Sequence, residues 1–413
     1  MGDEFPLRHI DRDLRVCSSC FYDDGLKAFV DGLADSNECS FCGTVSDQDI
    51  AAPLDEVVEH IRTSLERYFD NPDNAGMSYE SREGGYQGQV WDTYDIVEDE
   101  VPVDEIGGDL FQAICEGLGD QLWCDRYLYC LGPDDALAYS WKKFCETVKH
   151  ESRYFFTQRG RSDDDSEILS PSELLETIVE YAKSSGLIRT IDAGEALFRA
   201  RFQAAGENFS LPSELGPPPP SRASQNRMSP AGIVMMYVSE DANTAVREAA
   251  CATGNYSVGT FRILRDVAIL DLASLPNVPT IFAEVSDTAE VDPRTPLIFL
   301  HSLAEDISRP IVRDDRIHID YVPTQVVTEF VRGTMRDEGG SRIDGIRYRS
   351  SRSDDGISLV LFADADNVVG ACDHRFPKSQ LDEWLELVIR IELTFDMEDL
   401  VEHPAIERHP FSD

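Results

Sequence analysis

Two short cysteine pairs constrain this chain more than any other feature: Cys17-Ser18-Ser19-Cys20 and Cys39-Ser40-Phe41-Cys42. A Cys-x2-Cys turn presents two thiolates on one side of a tight knuckle, and two knuckles supply the four sulfurs of a tetrahedral Zn2+ site. The spacing C-x2-C-x18-C-x2-C, followed by Gly43, makes Cys17, Cys20, Cys39 and Cys42 the expected metal ligands. Four thiolates leave no open coordination position, so the expected zinc is structural rather than catalytic. The alternative is two reducible disulfides or unligated thiols. Residues 21–33 are expected to form a short helix against the metal. Cysteines 115, 124, 130, 145, 251 and 372 have no such spacing and read as small buried apolar residues in a reducing compartment.

Charge narrows the partners. The formal net charge is −41, from 78 acidic against 37 basic side chains, of which six are Lys and 31 Arg. Phosphate backbones are held by clustered Arg and Lys, so nucleic acid is not an expected partner. The knuckle itself carries Asp23, Asp24, Asp31 and Asp35 around a single Lys27, which favours a structural or partner-docking role over nucleic-acid binding. Self-repulsion should destabilise such a chain at low salt. No run approaches the roughly eighteen apolar residues of a membrane span, and residues 1–15 lack an apolar signal core. A soluble, cytoplasmic protein without a membrane partner is expected.

The length, 413 residues, suggests two or three domains. The texture suggests a four-cysteine zinc module over 1–50 and a helical domain over 51–160. A charged linker and one helix follow over 161–190, an α+β domain over 191–376, and an acidic extension over 377–413. Helical spacing of Leu54, Val57, Val58, Ile61 and Leu65 marks the first bundle helix. Further helices are expected over 109–130 and 134–149, with a Gly/Asn/Ser-rich loop over 71–89. Ser170 before Pro171, and Gly186 after the apolar pattern, bracket another helix. Beyond Gly186, apolar runs at 196–202, 233–238, 256–263, 267–271, 345–348 and 357–362 read as strands. Helices at 244–253, 295–305 and 321–332 lie between them. The acidic segment LDEWLELVIRIELTF reads as a helix running into a strand.

Four ordered pieces carry a resemblance. They are LFRARF with Arg199 and Arg201, the run from Leu215 to Ala249, VPTQVVTEFVR from Val322, and DGIRYRSSR from Asp344. Together they resemble the RES domain, named for its Arg, Glu and Ser. The Cys pairs with FCETVKHESRYFF resemble the N-terminal HEPN/RES domain fused to such domains. An active HEPN ribonuclease would need Arg-x4–6-His, whereas here His150 precedes Arg153, so ribonuclease activity is not expected. The resemblance implies an α+β, ADP-ribosyltransferase-like fold and NAD+ breakdown by glycohydrolysis or phosphorolysis. It also implies a role as a toxin or defence effector with an antitoxin or regulatory partner. ADP-ribose transfer to a macromolecule, and a catalytically inactive interaction protein, are the rival readings. Homodimerisation is left open. The chain departs from the small toxins by its long N-terminal part and by reading NRMSPAG where many members have Gly-Arg-aromatic-Asn.

The resemblance places Arg199, Glu248 and Ser350 at the catalytic centre and Arg201, Arg227 and Tyr237 around NAD+. Cleaving the nicotinamide–ribose bond develops positive charge on the ribose, which a carboxylate such as Glu248 stabilises. Arg199 can grip pyrophosphate in fork geometry, although a surface strand arginine looks the same in sequence. Arg227 sits in a Ser/Asn/Gly loop that suits a phosphate or an ordinary turn. Tyr237 can stack on nicotinamide or fill the core. Ser350 lacks a nucleophile elbow and reads as a positioner or a turn serine.

Overall fold

A computed structural model describes residues 11–82, 84–104, 109–156, 167–285, 292–309, 317–370 and 383–399. The chain forms two compact units, one of Met1–Pro133 with Asn277–Thr295 and one of Asp134–Pro276 with Pro296–Asp413.

In the first unit, β1 (Arg15–Cys17) pairs antiparallel with β2 (Ala51–Pro53), and α1 (Asp24–Leu33) and α2 (Leu54–Leu65) flank them. Helix α1 starts where Asp23 accepts the Leu26 N–H, a side-chain N-cap. Next come β3 (Phe69–Asp70), the hairpin β4 (Tyr79–Glu80) and β5 (Gly85–Tyr86), and β6 (Trp91–Asp92). They are followed by α3 (Thr93–Glu100), α4 (Leu110–Leu118) and β7 (Leu122–Asp125). The helix expected over 109–130 therefore ends early. Gly119, at φ 80°, ends α4 in a backbone conformation that favours glycine, and β7 then pairs with β3 and β6. Segment 277–295 belongs to this unit. Phe282 is buried in its core, and His60 Nε2 lies 2.7 Å from the Phe282 carbonyl. The approach at Gly25 is so close that a Cβ there would stand 2.8 Å from the backbone of Phe282.

The second unit holds α5 (Pro133–Glu146) and α6 (Pro171–Ser184). Helix α6 opens on a reciprocal capping box between Ser170 and Glu173, worth about 1 kcal/mol. Then follow β8 (Ile188–Ile191), β9 (Ala196–Phe202), α7 (Pro212–Leu215), β10 (Met236–Ser239) and α8 (Ala242–Ala249). Strands β11 (Gly254–Ile263) and β12 (Val267–Asp271) precede helices α9 (Arg294–Ser308), α10 (Ile317–Asp320) and α11 (Val322–Thr334). Strands β13 (Gly345–Arg349), β14 (Ile357–Leu361), β15 (Val368–Gly370) and β16 (Leu385–Phe395) complete the unit.

Nine of these strands make one mixed sheet in the order β15-β16-β11-β9-β10-β14-β13-β12-β8. The β12–β13 and β15–β16 pairs are parallel and the others antiparallel. The acidic segment expected to begin as a helix is a strand from Leu385, paired with β11 along its length. Residues 161–166 of the expected linker lie outside the described residues.

Register fixes two faces. Opposed residues in an antiparallel ladder share a face, and neighbours along a strand alternate. Phe198 opposes Ser239, Tyr237 opposes Val360, and Ser358 opposes Tyr348, so these side chains share one face. Helices α6, α9 and α11 pack on it through Ile178, Leu303 and Val327. Helix α8 packs on the same face through Val246, against Tyr256 and Val258. Leu197, Val238 and Leu359 lie on the reverse face, in a separate core cluster with Leu215.

Candidate active site and metal site

The two cysteine turns meet in the first unit. Cys17 ends β1 and Cys20 ends the following helical turn, while Cys39 and Cys42 lie on the second knuckle. All four sulfurs lie within 4.8 Å of one another. Cys17–Cys42 is 3.5 Å, and Cys17–Cys20 and Cys20–Cys39 are both 3.7 Å. A tetrahedron with metal–sulfur bonds of about 2.3 Å has edges of about 3.8 Å, whereas a disulfide needs about 2.05 Å. The donor set thus fits one tetrahedral metal ion. The Cys17 backbone N–H points at Cys39 Sγ at 3.4 Å, a further contact that orients a sulfur ligand. Burial and the neighbouring thiols raise Cys17 to about 11 and also raise Cys20. Cys42 is pulled down to about 6 despite burial, by hydrogen bonds with Thr44 and with the other thiols. Thiols held this close would lose their protons to solvent as a dication binds the four sulfurs together. The expectation that the remaining cysteines are buried needs correction: Cys124 is buried, but Cys130 and Cys251 are exposed. Cys372 lies outside the described residues.

In the second unit, one hydrogen bond joins two distant parts of the sequence. Ser350 follows β13 and is buried; its Oγ donates to Oε1 of Glu248, on α8, at 2.5 Å. Arg352 locks the turn that carries Ser350. Its backbone N–H donates to Ser350 Oγ at 3.1 Å, and its guanidinium donates to the carbonyls of Arg247 at 3.0 Å and Ala250 at 2.8 Å. These carbonyls lie at the α8 C-terminus, where a cation is well placed.

Arg227 and Tyr237 gather on the same face. Tyr237 Oη accepts from the Met228 N–H at 3.3 Å and lies 3.0 Å from Ser229 Oγ. Burial raises its hydroxyl to about 12. Arg227 donates through Nη2 to Ser351 Oγ at 3.3 Å and through Nη1 to the Ile307 carbonyl. Helix α11 holds this loop with its first turn. Thr324 Oγ1 donates to the Arg227 carbonyl at 2.5 Å, and Gln325 Nε2 to the Asn226 carbonyl at 2.8 Å. Tyr348 is buried beneath; burial raises its hydroxyl, as does the charge of Glu248, while Arg227 opposes the rise. Glu248, Ser350, Arg227, Tyr237 and Tyr348 therefore form one electrostatic cluster.

Arg199, expected beside Glu248 and Ser350, lies apart from them in the sheet. It stands next to Phe198 on β9 and so faces the reverse side of the sheet, with Leu197. There its Nη1 donates to the Leu215 carbonyl, and Arg201 Nη1 donates to the Glu214 carbonyl at 2.8 Å. Arg201 also lies over the Phe209 ring at 4.0 Å. Burial and then the Arg201 charge lower Arg199 to about 10, so it remains cationic at neutral pH. The pair ties down the loop around α7. Arg227 instead reaches Ser351, next to Ser350, and Arg352 reaches the Glu248 carbonyl.

A family model for the RES domain matches residues 196–383. The chain carries a RES domain. A second model, HEPN/RES N-terminal domain 1, matches residues 34–162. No curated protein and no solved structure matches the chain significantly. The RES match begins with β9 and stops before β16, so β8 and β16 extend the sheet beyond it. It covers all of the Glu248–Ser350 cluster. The HEPN/RES match includes Cys39 and Cys42 and begins after Cys17 and Cys20. Among the described residues no helix is long and apolar enough to cross a membrane.

Sequence reasoning missed Tyr348, Arg352 and the reason for Thr324 and Gln325. Tyr348 had a signal, because it alternates with arginines in IRYR and so points inward. Arg352 had none, since its partners are backbone carbonyls about a hundred residues earlier.

Proposed function

We propose that the RES domain consumes NAD+ by cleaving the bond between nicotinamide and ribose. The observation that carries this reading is the 2.5 Å hydrogen bond from Ser350 to Glu248, on the same face as Arg227 and Tyr237. The association of RES domains with NAD-acting enzymes supports it. Bond cleavage places positive charge on the ribose, and the Glu248 carboxylate is the group that would stabilise it. Ser350 occupies one carboxylate oxygen and so fixes the rotamer, leaving the other oxygen for the ribose or the attacking nucleophile. Arg227 would hold the pyrophosphate in fork geometry, and Tyr237, protonated at neutral pH, would offer its ring to nicotinamide. Ser350 acts through Glu248 and is a positioning residue. Cys17, Cys20, Cys39 and Cys42 would hold a structural Zn2+ with no part in the chemistry.

Consumption of NAD+ is damaging to a cell, which suits a toxin or defence effector restrained by an antitoxin or regulatory partner. Incubation of the full chain with NAD+, with and without phosphate, tests the reading when products are resolved by mass. Free ADP-ribose identifies hydrolysis, ADP-ribose 1″-phosphate phosphorolysis, and a labelled macromolecule transfer. Intact NAD+ at both low and molar salt would overturn it.

A further inference from the structure

An open cleft of about 500 Å3 lies at the end of β13 and β14 that begins with Gly345 and ends with Leu361, and Arg265, Arg332 and Arg342 line it. Ser350 follows the other end of β13. Five residues of strand separate the two ends, about 16 Å, so the cleft is not the Glu248 site.

The charge balance inside the cleft is specific. Asp344 is its lining carboxylate, and it is already engaged: Arg265 Nη2 and Nη1 reach its two oxygens at 2.6 Å and 3.0 Å, and the Ala268 N–H adds a third bond at 3.0 Å. Arg265 also lies 5.0 Å from the centre of the Trp384 ring. That leaves two further positive charges. Arg332 is steered by the Phe362 ring, at 5.6 Å, and Arg342 is exposed on the rim. Among the described residues no carboxylate pairs with either. In a chain of net charge −41, an anion is repelled by most of the surface and drawn to such a cleft. The aromatic rings already carry guanidiniums over them, so they support cations rather than offering a stacking platform. A compact, multiply charged anion with several acceptor oxygens matches two guanidinium forks.

We propose that this cleft is a second binding site, for a phosphoryl group, separate from the proposed NAD+ site. Its occupant would bridge α11, through Arg332, and the segment leading into β13, through Arg342. Helix α11 also holds the Arg227 loop through Thr324 and Gln325. An anion in the cleft would thereby stiffen the element that positions Arg227.

Calorimetric titration of the full chain tests this without any enzymatic readout. Inorganic phosphate and adenosine monophosphate serve as separate probes, at an ionic strength fixed with KCl. Wild type is expected to bind at least one of them. Tighter binding of the inorganic ion would mark free phosphate as the source, and tighter binding of the nucleotide a phosphoryl group on a larger molecule. Binding should weaken roughly tenfold or more in Arg332→Ala/Arg342→Ala and persist in Arg227→Ala. If the double variant melts abnormally, Arg342→Gln on the exposed rim replaces it, with the same direction expected. Absence of binding, unchanged binding in the folded cleft variant, or loss of binding in Arg227→Ala would overturn the proposal. The last result would place the anion in the proposed active site instead.

Discussion

Ser350 Oγ donates to Glu248 Oε1 at 2.5 Å across 102 residues of sequence, and that bond joins the β13–β14 turn to the last turn of α8. A charge-assisted hydrogen bond of this kind is worth roughly 1.5–3 kcal/mol. Glu248→Gln should lower NAD+ cleavage by about 100-fold or more. Ser350→Ala should cost roughly 10- to 100-fold, through a misplaced carboxylate. The double variant should be little worse than Glu248→Gln alone, because the serine acts through the glutamate. Additive losses in steady-state kinetics would show instead that Ser350 meets the substrate directly.

The two arginine positions make opposite predictions. Arg227→Ala should raise KM and lower kcat/KM by about tenfold or more, since it removes the cation beside Tyr237 and Ser351. Arg199→Ala should leave kcat/KM within a few-fold and lower the melting temperature, because its partner is the Leu215 carbonyl on the reverse face. Parallel kinetics and thermal melts of the two variants decide between them. A large kcat/KM loss in a stably folded Arg199→Ala would return that residue to the site.

That exchange of arginines shows where the sequence was readable and where it was not. LFRARF announces a strand, but Leu197 and Phe198 are both apolar and the sheet is covered on both faces, so the hexapeptide carries no cue to which residues face α8. Only pairing of Phe198 with Ser239 settles the parity. The cluster of four cysteines was legible because its chemistry is local to two short turns. The α6 boundaries were legible because Ser170, Pro171 and Gly186 act within one helix turn. The segment at 385–395 was half legible. Leu387, Ile389, Ile391, Leu393 and Phe395 alternate as a strand does, yet the choice is made by ten paired positions on β11. The helix expected over 109–130 is too long because Gly119 and Leu122 sit within what looks like one apolar run.

Arg352 is predicted to be a positioning residue. Arg352→Ala removes the guanidinium that donates to three carbonyls at the α8 C-terminus, while the backbone N–H bond to Ser350 Oγ is kept. It should lower kcat about tenfold with little change in KM, since a shift in Glu248 affects the transition state more than ground-state binding. Arg352→Lys should recover part of the loss by keeping one donor at the helix end. Equal activity in all three proteins would remove Arg352 from the account.

Metal content provides an independent check on the first unit. Elemental analysis of the purified chain should find about one zinc per molecule, and chelation should lower the melting temperature of that unit. Cys20→Ser should do the same. Metal-free protein with an unchanged melt would refute the four-thiolate site while leaving the Glu248 cluster untouched.

The central claim is tested most directly by the release of free nicotinamide from NAD+, measured for wild type and Glu248→Gln at matched folding and at high as well as low salt. The account predicts steady release by wild type and a loss of about 100-fold or more in the variant. No release by wild type under either condition, or equal release by both proteins, would contradict it.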